Sequence, residues 1–541
     1  MTGQEGNRDV RKTQLTAILA IATLLPVTAF VRPVNADEEY DKLRVFQNTG
    51  QTFLRCTAAS RPMAPNWMES LSGDETKDTA SDPIDTNAAD VDVKVRDQDD
   101  KEPTAEERIR QLEDKLKRLD SSWAKFDDAE KTKKDDAAKK PTFRIGGRIQ
   151  ADFWDFIDQS NGIGYFEHPI SASPKYGQDP EDFFAFRRVR LECQGEIPDN
   201  MLWRLQVDFN NPNSPEMKDV YLGFNELPGN QTLLIGNQKI PLGLDALNSS
   251  RFNVFVERPT VNDAFSTDYR RPGVCMYGVN DDQSINWRYG AFYLENISDD
   301  GRYLGDSRQM SINGRLAGSP WYDESSDGQG YFHWGIAGMV AKPDGGATAA
   351  DTNINEARFS TRPEGRSQGR WLDTGMISGA EWFETIGLET ILNLGPTQIV
   401  GEYERTFTQR NGFGNTQFDG TYVYVSYFLT GEHIPYDRES GTLGRVVPFE
   451  NFFLVDRQHR GHSTGWGAWN VAARYSYLDL TDKDILGGVG HAGTLALNWH
   501  WNAYAKLQFD VSYGQISDHK NIGGYTGGDY TLCGTRFAID F

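Results

Sequence analysis

Arginine recurs along several segments of this chain at positions that share one side. Arg144 and Arg148 stand in FRIGGRIQADFWDF, Arg188 and Arg190 in AFRRVRLEC, Arg204 in MLWRLQVDF, and Arg288, Arg315 and Arg474 in later segments. A guanidinium is a rigid fork of donors that matches two oxygens of a phosphate or carboxylate at once. Set along a passage, such forks give an oxyanion a series of weak sites in place of its hydration shell. The same residues have a plainer use, pairing across strands with acids that share their face, such as Asp152, Asp208, Asp510 and Asp540. Both uses stay open at this level, and acids that prevail would give a general or cation-preferring passage.

Catalytic chemistry is not expected. His433, His459, His462, His491 and His500 are scattered, and no pair has the helical spacing of a metal site. No Gly-x-Ser-x-Gly elbow occurs. An enzyme carried on the same architecture would need a nucleophile–histidine–acid cluster that no stretch suggests. No cofactor and no metal are implied. Cys56, Cys193, Cys275 and Cys533 lack the paired spacing of zinc or redox motifs.

The arginines need strands to position them. From Gly465 to Phe541 the chain alternates with a period of two: Leu495, Leu497, Trp499 and Trp501 against Thr494, Ala496, Asn498 and His500, then Leu507, Phe509, Val511 and Tyr513 against Lys506, Gln508, Asp510 and Ser512. Successive side chains of a strand leave on opposite faces, so each segment has an oily face and a wet one. A soluble sheet over a core would read this way, and so would a transmembrane barrel with lipid outside and water inside. Segments of ten residues or more, aromatics at segment ends and a terminal Phe541 within a strand favour the barrel. The expected fold class is all-β, a transmembrane antiparallel β-barrel of about 16 strands, preceded by a short α-helical coiled coil.

Composition agrees. Mean hydropathy is −0.60, yet aromatics reach 12% and glycines number 53; a barrel needs only a thin apolar band around a polar lumen. The formal charge of −22 excludes nucleic acid as a partner. Residues 1–36 read as a signal peptide, with Arg8, Arg11 and Lys12 before an apolar run from Leu15 to Val31 and Val34-Asn35-Ala36 before Asp37. Residues 37–102 read as a disordered acidic linker. Over 103–127, Thr104 with Glu107 forms a capping box, and Ile109, Leu112, Leu116, Leu119, Trp123 and Phe126 step by three and four, the seam of a short oligomeric coil. Residues 128–142 are a charged spacer, and 143–541 are the barrel. An even strand count leaves both termini in the periplasm and makes 157–182, 240–271, 342–379 and 515–530 external. The long connection 431–464 then falls on the periplasmic side, so either a strand is miscounted or that connection is unusual.

The stretch GNQKIPLGLDALNSSRFNVFVERPTVNDAF, from Gly236 to Phe265, resembles the phosphate-selective porin O and P family, in which a strand ends in Gly-x-x-x-x-Pro-x-Gly-Leu followed by Ser-Ser, an aromatic run and Glu-Arg. Thr430-Gly431-Glu432 and GAWNVAARYSYLDL followed by LNWHWN match in the same order, so the resemblance covers about Phe143 to the end. It implies a sixteen-stranded homotrimer in the outer-membrane lipid, its channel narrowed by inward-folded loops. It also implies passive uptake of small inorganic anions, phosphate or polyphosphate, guided by basic residues. Lys239 after the fifth strand, with Arg251 and Arg258 in the following loop, become candidates for the constriction. Glu257 beside Arg258 could equally make a structural ion pair.

Overall fold

The computed structural model describes residues 140–541, apart from 199, 267–268, 298–308, 349–353, 454 and 458–460, together with scattered positions before them. The expected signal peptide, the spacer up to residue 139, and the linker except for the pair Phe46–Gln47 with Thr52–Phe53 lie outside the described residues. At the described positions 106, 109–110, 113–117 and 123 the backbone is helical, and Ile109, Leu116 and Trp123 of the apolar seam are exposed. The remainder of the expected coil lies outside the described residues.

Sixteen long strands close into one antiparallel barrel. They are β1 Arg144–Gln159, β2 Phe183–Ile197, β3 Met201–Asp208, β4 Glu216–Leu227, β5 Gln231–Lys239, β6 Arg270–Val279, β7 Ile285–Tyr293 and β8 Met310–Tyr322. The second half comprises β9 Gly330–Lys342, β10 Ala380–Leu394, β11 Thr397–Arg410, β12 Thr416–Phe428, β13 Ala468–Asp482, β14 Ile485–Asn502, β15 Ala505–His519 and β16 Gly528–Asp540. Each pairs with its sequence neighbours, and β16 pairs with β1, with Arg536 opposite Asp152. Closure leaves no strand edge unpaired. The final residue takes part, since Phe541 N donates to Gly147 O and Gly147 N to Phe541 O. The predicted alternation holds. Ile145, Ile149, Phe153, Leu495, Phe509, Val511 and Tyr513 are exposed on the outer face, while Arg148, Gln150, Asp152, Arg188, Arg190, Arg204, Gln206 and Asp208 are buried within.

Among the register shifts of the barrel, two alter which cations face the lumen along β1–β4. Between β1 and β2 the register passes from Gln150↔Arg188 to Ala151↔Phe186, which leaves Arg187 as an extra residue. Between β3 and β4 it passes from Leu205↔Val220 to Val207↔Met217, which sets Lys218 and Asp219 against Gln206 alone. A bulge re-aims the side chain it inserts.

Sixteen strands put both barrel termini at one end. The turns at that end are short except the connection 429–467, so the strand count stands and the connection is the unusual element. It turns into the lumen through the pair Tyr436–Asp437 with Thr442–Leu443, where Tyr331 Oη donates to Ile434 O and Arg315 to Gly441 O. From the opposite end the loop 240–269 enters, and the two meet where Leu443 N donates to Asn248 Oδ1 at 2.9 Å. The connection 343–379 also enters, burying Phe359, Trp371, Leu372 and Ile377. The hydrophobic core therefore lies inside the barrel, between loops and wall.

Acids from the wall fasten these loops. Glu402 on β11 accepts Leu244 N at 2.6 Å and Asp245 N at 2.8 Å, and Glu404 accepts Asn262 Nδ2 at 3.0 Å. Asp510 on β15 accepts Val256 N at 2.7 Å. From the third loop Glu364, fully buried, reaches Arg474 at 2.7 Å.

Two outcomes follow from this arrangement. A Cβ on Gly147 would lie 2.6 Å from the Phe541 ring and 2.7 Å from Arg190 O, so Gly147→Val should cost about 1–3 kcal/mol of overpacking. Urea unfolding in lipid vesicles checks it, and a midpoint equal to the parent's would show that the β16–β1 seam tolerates bulk. Glu402→Ala removes the acceptor of two N–H groups of the loop, a loss of roughly 1–3 kcal/mol for donors left unsatisfied. The barrel should still fold but with a noisier, larger single-channel conductance, and a quiet, unchanged conductance would show that the loop is held otherwise.

Candidate functional site

A cavity of about 370 Å³ lies between the β1–β6 wall and the lumen loops. The wall supplies Arg148, Arg187, Arg188, Arg190, Arg204, Lys218, Lys239, Arg270 and Arg271, and the loops supply Arg258, Arg362, Arg366 and Arg370. Thirteen cations thus share the cavity with five acids, Asp208, Glu216, Asp219, Glu257 and Asp263. In a chain with 22 more acids than bases, this local excess is what a solute inside would meet.

Some of these cations are spent on structure. Arg190 pairs with Asp208 at 2.7 Å, Arg270 with Asp219 at 2.8 Å and Arg204 with Glu192 at 2.8 Å. Arg187 and Arg536 clamp Glu257, at 2.8 and 2.7 Å. Against the cost of burial, those two guanidiniums hold the Glu257 carboxyl well below the usual carboxylate range.

Others carry no carboxylate. Arg188 Nη1 donates to Gln150 at 2.8 Å, and its Nε is buried without a hydrogen-bond partner. Lys239 Nζ donates to the Leu247 and Asn248 carbonyls, both at 2.8 Å, and Arg362 donates to Ser367 O. Lys239 and Arg258 share the Asn248 carbonyl, which clips the loop's first turn to the end of β5. Arg258 also pairs with Asp245 at 2.8 Å and stacks on Tyr269. The nearby Arg187 guanidinium, and then burial, push Arg366 down to about 9. Arginine stays charged at neutral pH, so this crowding is repulsion that an anion placed between the two groups would relieve.

The structure brings together six of the eleven candidates read from sequence: Arg148, Arg188, Arg190, Arg204, Lys239 and Arg258. The other five stand elsewhere. Arg251 bridges Glu192 at 2.6 Å and Asp540 at 3.2 Å. Arg315 holds Glu389 and the carbonyls of Ser440 and Gly441, which fixes the connection 429–467 to the wall. Arg474 is occupied by Glu364 and lies over the Phe255 ring. Arg288 lies over Tyr277, and Arg144 is exposed at the first position of β1.

Sequence reasoning missed Arg187 and Lys218 because strict alternation turns them outward; only the bulges bring them in. It also passed over Arg362, Arg366 and Arg370, whose loop carries no local signal of entering the lumen. The inward acids that argued for a cation path are taken up: Asp152 by Arg536, Asp208 by Arg190, Asp510 by Val256 N, and Asp540 by Arg445 and Arg251.

The family model for phosphate-selective porin O and P matches residues 143–523. An uncharacterised protein of Caulobacter vibrioides is 26% identical over 413 residues, 74% of each chain. Porin O of Pseudomonas aeruginosa is 23% identical over 433 residues, 72% of this chain and 87% of its own. Among solved structures, an anion-selective porin from Comamonas acidovorans aligns with a TM-score of 0.43 at 11% identity, over 74% of this chain and 100% of its own. With the family model matching most of its barrel, the chain belongs to the phosphate-selective porin O and P family and is an outer-membrane porin.

Proposed function

We propose that the barrel passes small anions, phosphate or short polyphosphates, by passive diffusion through the basic cavity. The observation that carries this reading is the ratio of thirteen cations to five acids around that cavity. An anion entering from the loop side meets Arg362, Arg366 and Arg370, then Arg187 and Arg188, then the Lys239–Arg258 clip. Each guanidinium trades water for one or two oxyanion oxygens. Sites in series let each successive solute displace the one before it. Selection is electrostatic, so it weakens as salt screens the wall, with a Debye length of about 10 Å at 0.1 M.

The working unit is a homotrimer. The chain is exported through the signal peptide, and residues 37–142 lie in the periplasm, where the exposed apolar seam at Ile109, Leu116 and Trp123 packs against its copies.

Planar-bilayer recordings of the purified protein under a chloride gradient, titrated with phosphate, test the ion preference. The reversal potential should favour anions and phosphate should block chloride current. Arg188→Gln and Lys239→Ala should each weaken that block about tenfold, the loss of one charged hydrogen bond. Arg288→Gln, outside the cavity, should leave it unchanged. A cation-favouring reversal with no phosphate effect would sink the anion reading and leave a general porin.

A further inference from the structure

The connection 429–467 does more than enter the lumen. After its inner turn it lies against the outward indoles of β14. Phe452 packs on Trp499, with ring centroids 4.4 Å apart, and Phe453 on Trp501 at 5.6 Å. Phe452 N donates to Trp501 O at 2.7 Å, so the backbone is seated as well. These indoles belong to the outward face: Trp499 stacks on Trp469 at 4.9 Å, and Trp501 meets Phe537 at 5.3 Å.

The return of the segment is fixed by an unusual acceptor. Trp466 O takes hydrogen bonds from both Trp469 Nε1 at 3.1 Å and Trp499 Nε1 at 2.9 Å. With its backbone held by two indoles, the Trp466 side chain itself is 79% exposed. Phe449 and Phe453 beside it are exposed too. A soluble connection would gain nothing from ordering an aromatic ring outward into water.

We propose that Phe449, Phe453 and Trp466 dock into the phospholipid leaflet at the termini's end of the barrel, with their rings at the glycerol level. Two features favour lipid over a second copy of the chain. The patch is continuous with the lipid-facing band of β14–β16, where Leu495, Phe509, Val511, Phe537 and Ile539 are exposed. Its most exposed member is an indole, an amphipathic ring suited to the boundary between acyl chains and headgroups. The consequence is mechanical: one connection is tied at one point to the channel wall through Arg315 and at another to the membrane surface. The inference rests on family membership and not on ion preference.

The test uses the full-length protein in phosphatidylglycerol–phosphatidylethanolamine vesicles whose acyl chains are brominated near the glycerol end. Emission of the parent minus that of Trp466→Phe isolates the one indole. That difference should fall at least twofold with brominated lipid and respond little to aqueous iodide. Phe449→Trp, a separate variant that keeps every existing indole, should add emission with the same behaviour. Iodide quenching without lipid quenching would overturn the proposal in favour of a solvent-facing ring. A signal insensitive to both quenchers, exposed only when the oligomer is dissociated, would overturn it in favour of a subunit contact. Either result would leave the phosphate-block experiment untouched.

Discussion

The interior of this barrel is governed by where its carboxylates are spent. A buried carboxylate is costly unless donors surround it, and a lumen crowded by three connections leaves little water to do so. Acids of the far wall take donors from the loop: Glu402 from two backbone N–H groups, Glu404 from Asn262, Asp510 from Val256 N. Each such contact draws the loop 240–269 toward β11 and β15. The same loop is tied to the basic wall as well, where Arg187 holds Glu257, Arg148 donates to Ser250 and Lys239 to the Leu247 and Asn248 carbonyls. The cation-lined cavity is the space left between these two sets of anchors.

For this reason the formal charge of −22 misleads when taken as a property of the pore. What a permeating ion feels is the field of groups within roughly a Debye length, weighted by how well each is already neutralised. Asp152, Asp208 and Asp540 each face a guanidinium at short range, so they contribute little net field. Arg188 and Lys239 donate to neutral acceptors, so no paired carboxylate offsets either one.

The strands were legible because alternation is a direct image of a wall with two solvents, and sixteen of them could be counted from it. The side of each strand arginine was legible on the same ground, as Arg148, Arg188, Arg190 and Arg204 show. What alternation cannot report is its own interruption. Arg187 and Arg188 are adjacent, and so are Lys218 and Asp219; only a register slip of one residue brings both members of each pair to the lumen. Nor does it report partners distant in sequence. Arg474 is indistinguishable from Arg188 on its own strand, yet Glu364, 110 residues away, occupies it. The parity conflict at 431–464 has a physical source, a connection at the termini's end that turns into the lumen.

The mixture of paired and unpaired cations along one wall bears on traffic as well as selection. A passage lined only by bare arginines would hold a multivalent anion too firmly to release it, because conduction needs sites weak enough to leave. Here Arg190 and Arg270 each share their charge with a carboxylate 2.7 to 2.8 Å away, while Arg188 and Lys239 do not. On the proposed anion reading, an ion leaving the unpaired groups would move toward guanidiniums shared with Asp208 and Asp219, each step a partial exchange of one oxygen ligand for another. The acids within the basic wall lower the affinity of the sites beside them, and that is the condition for flow through a charged constriction.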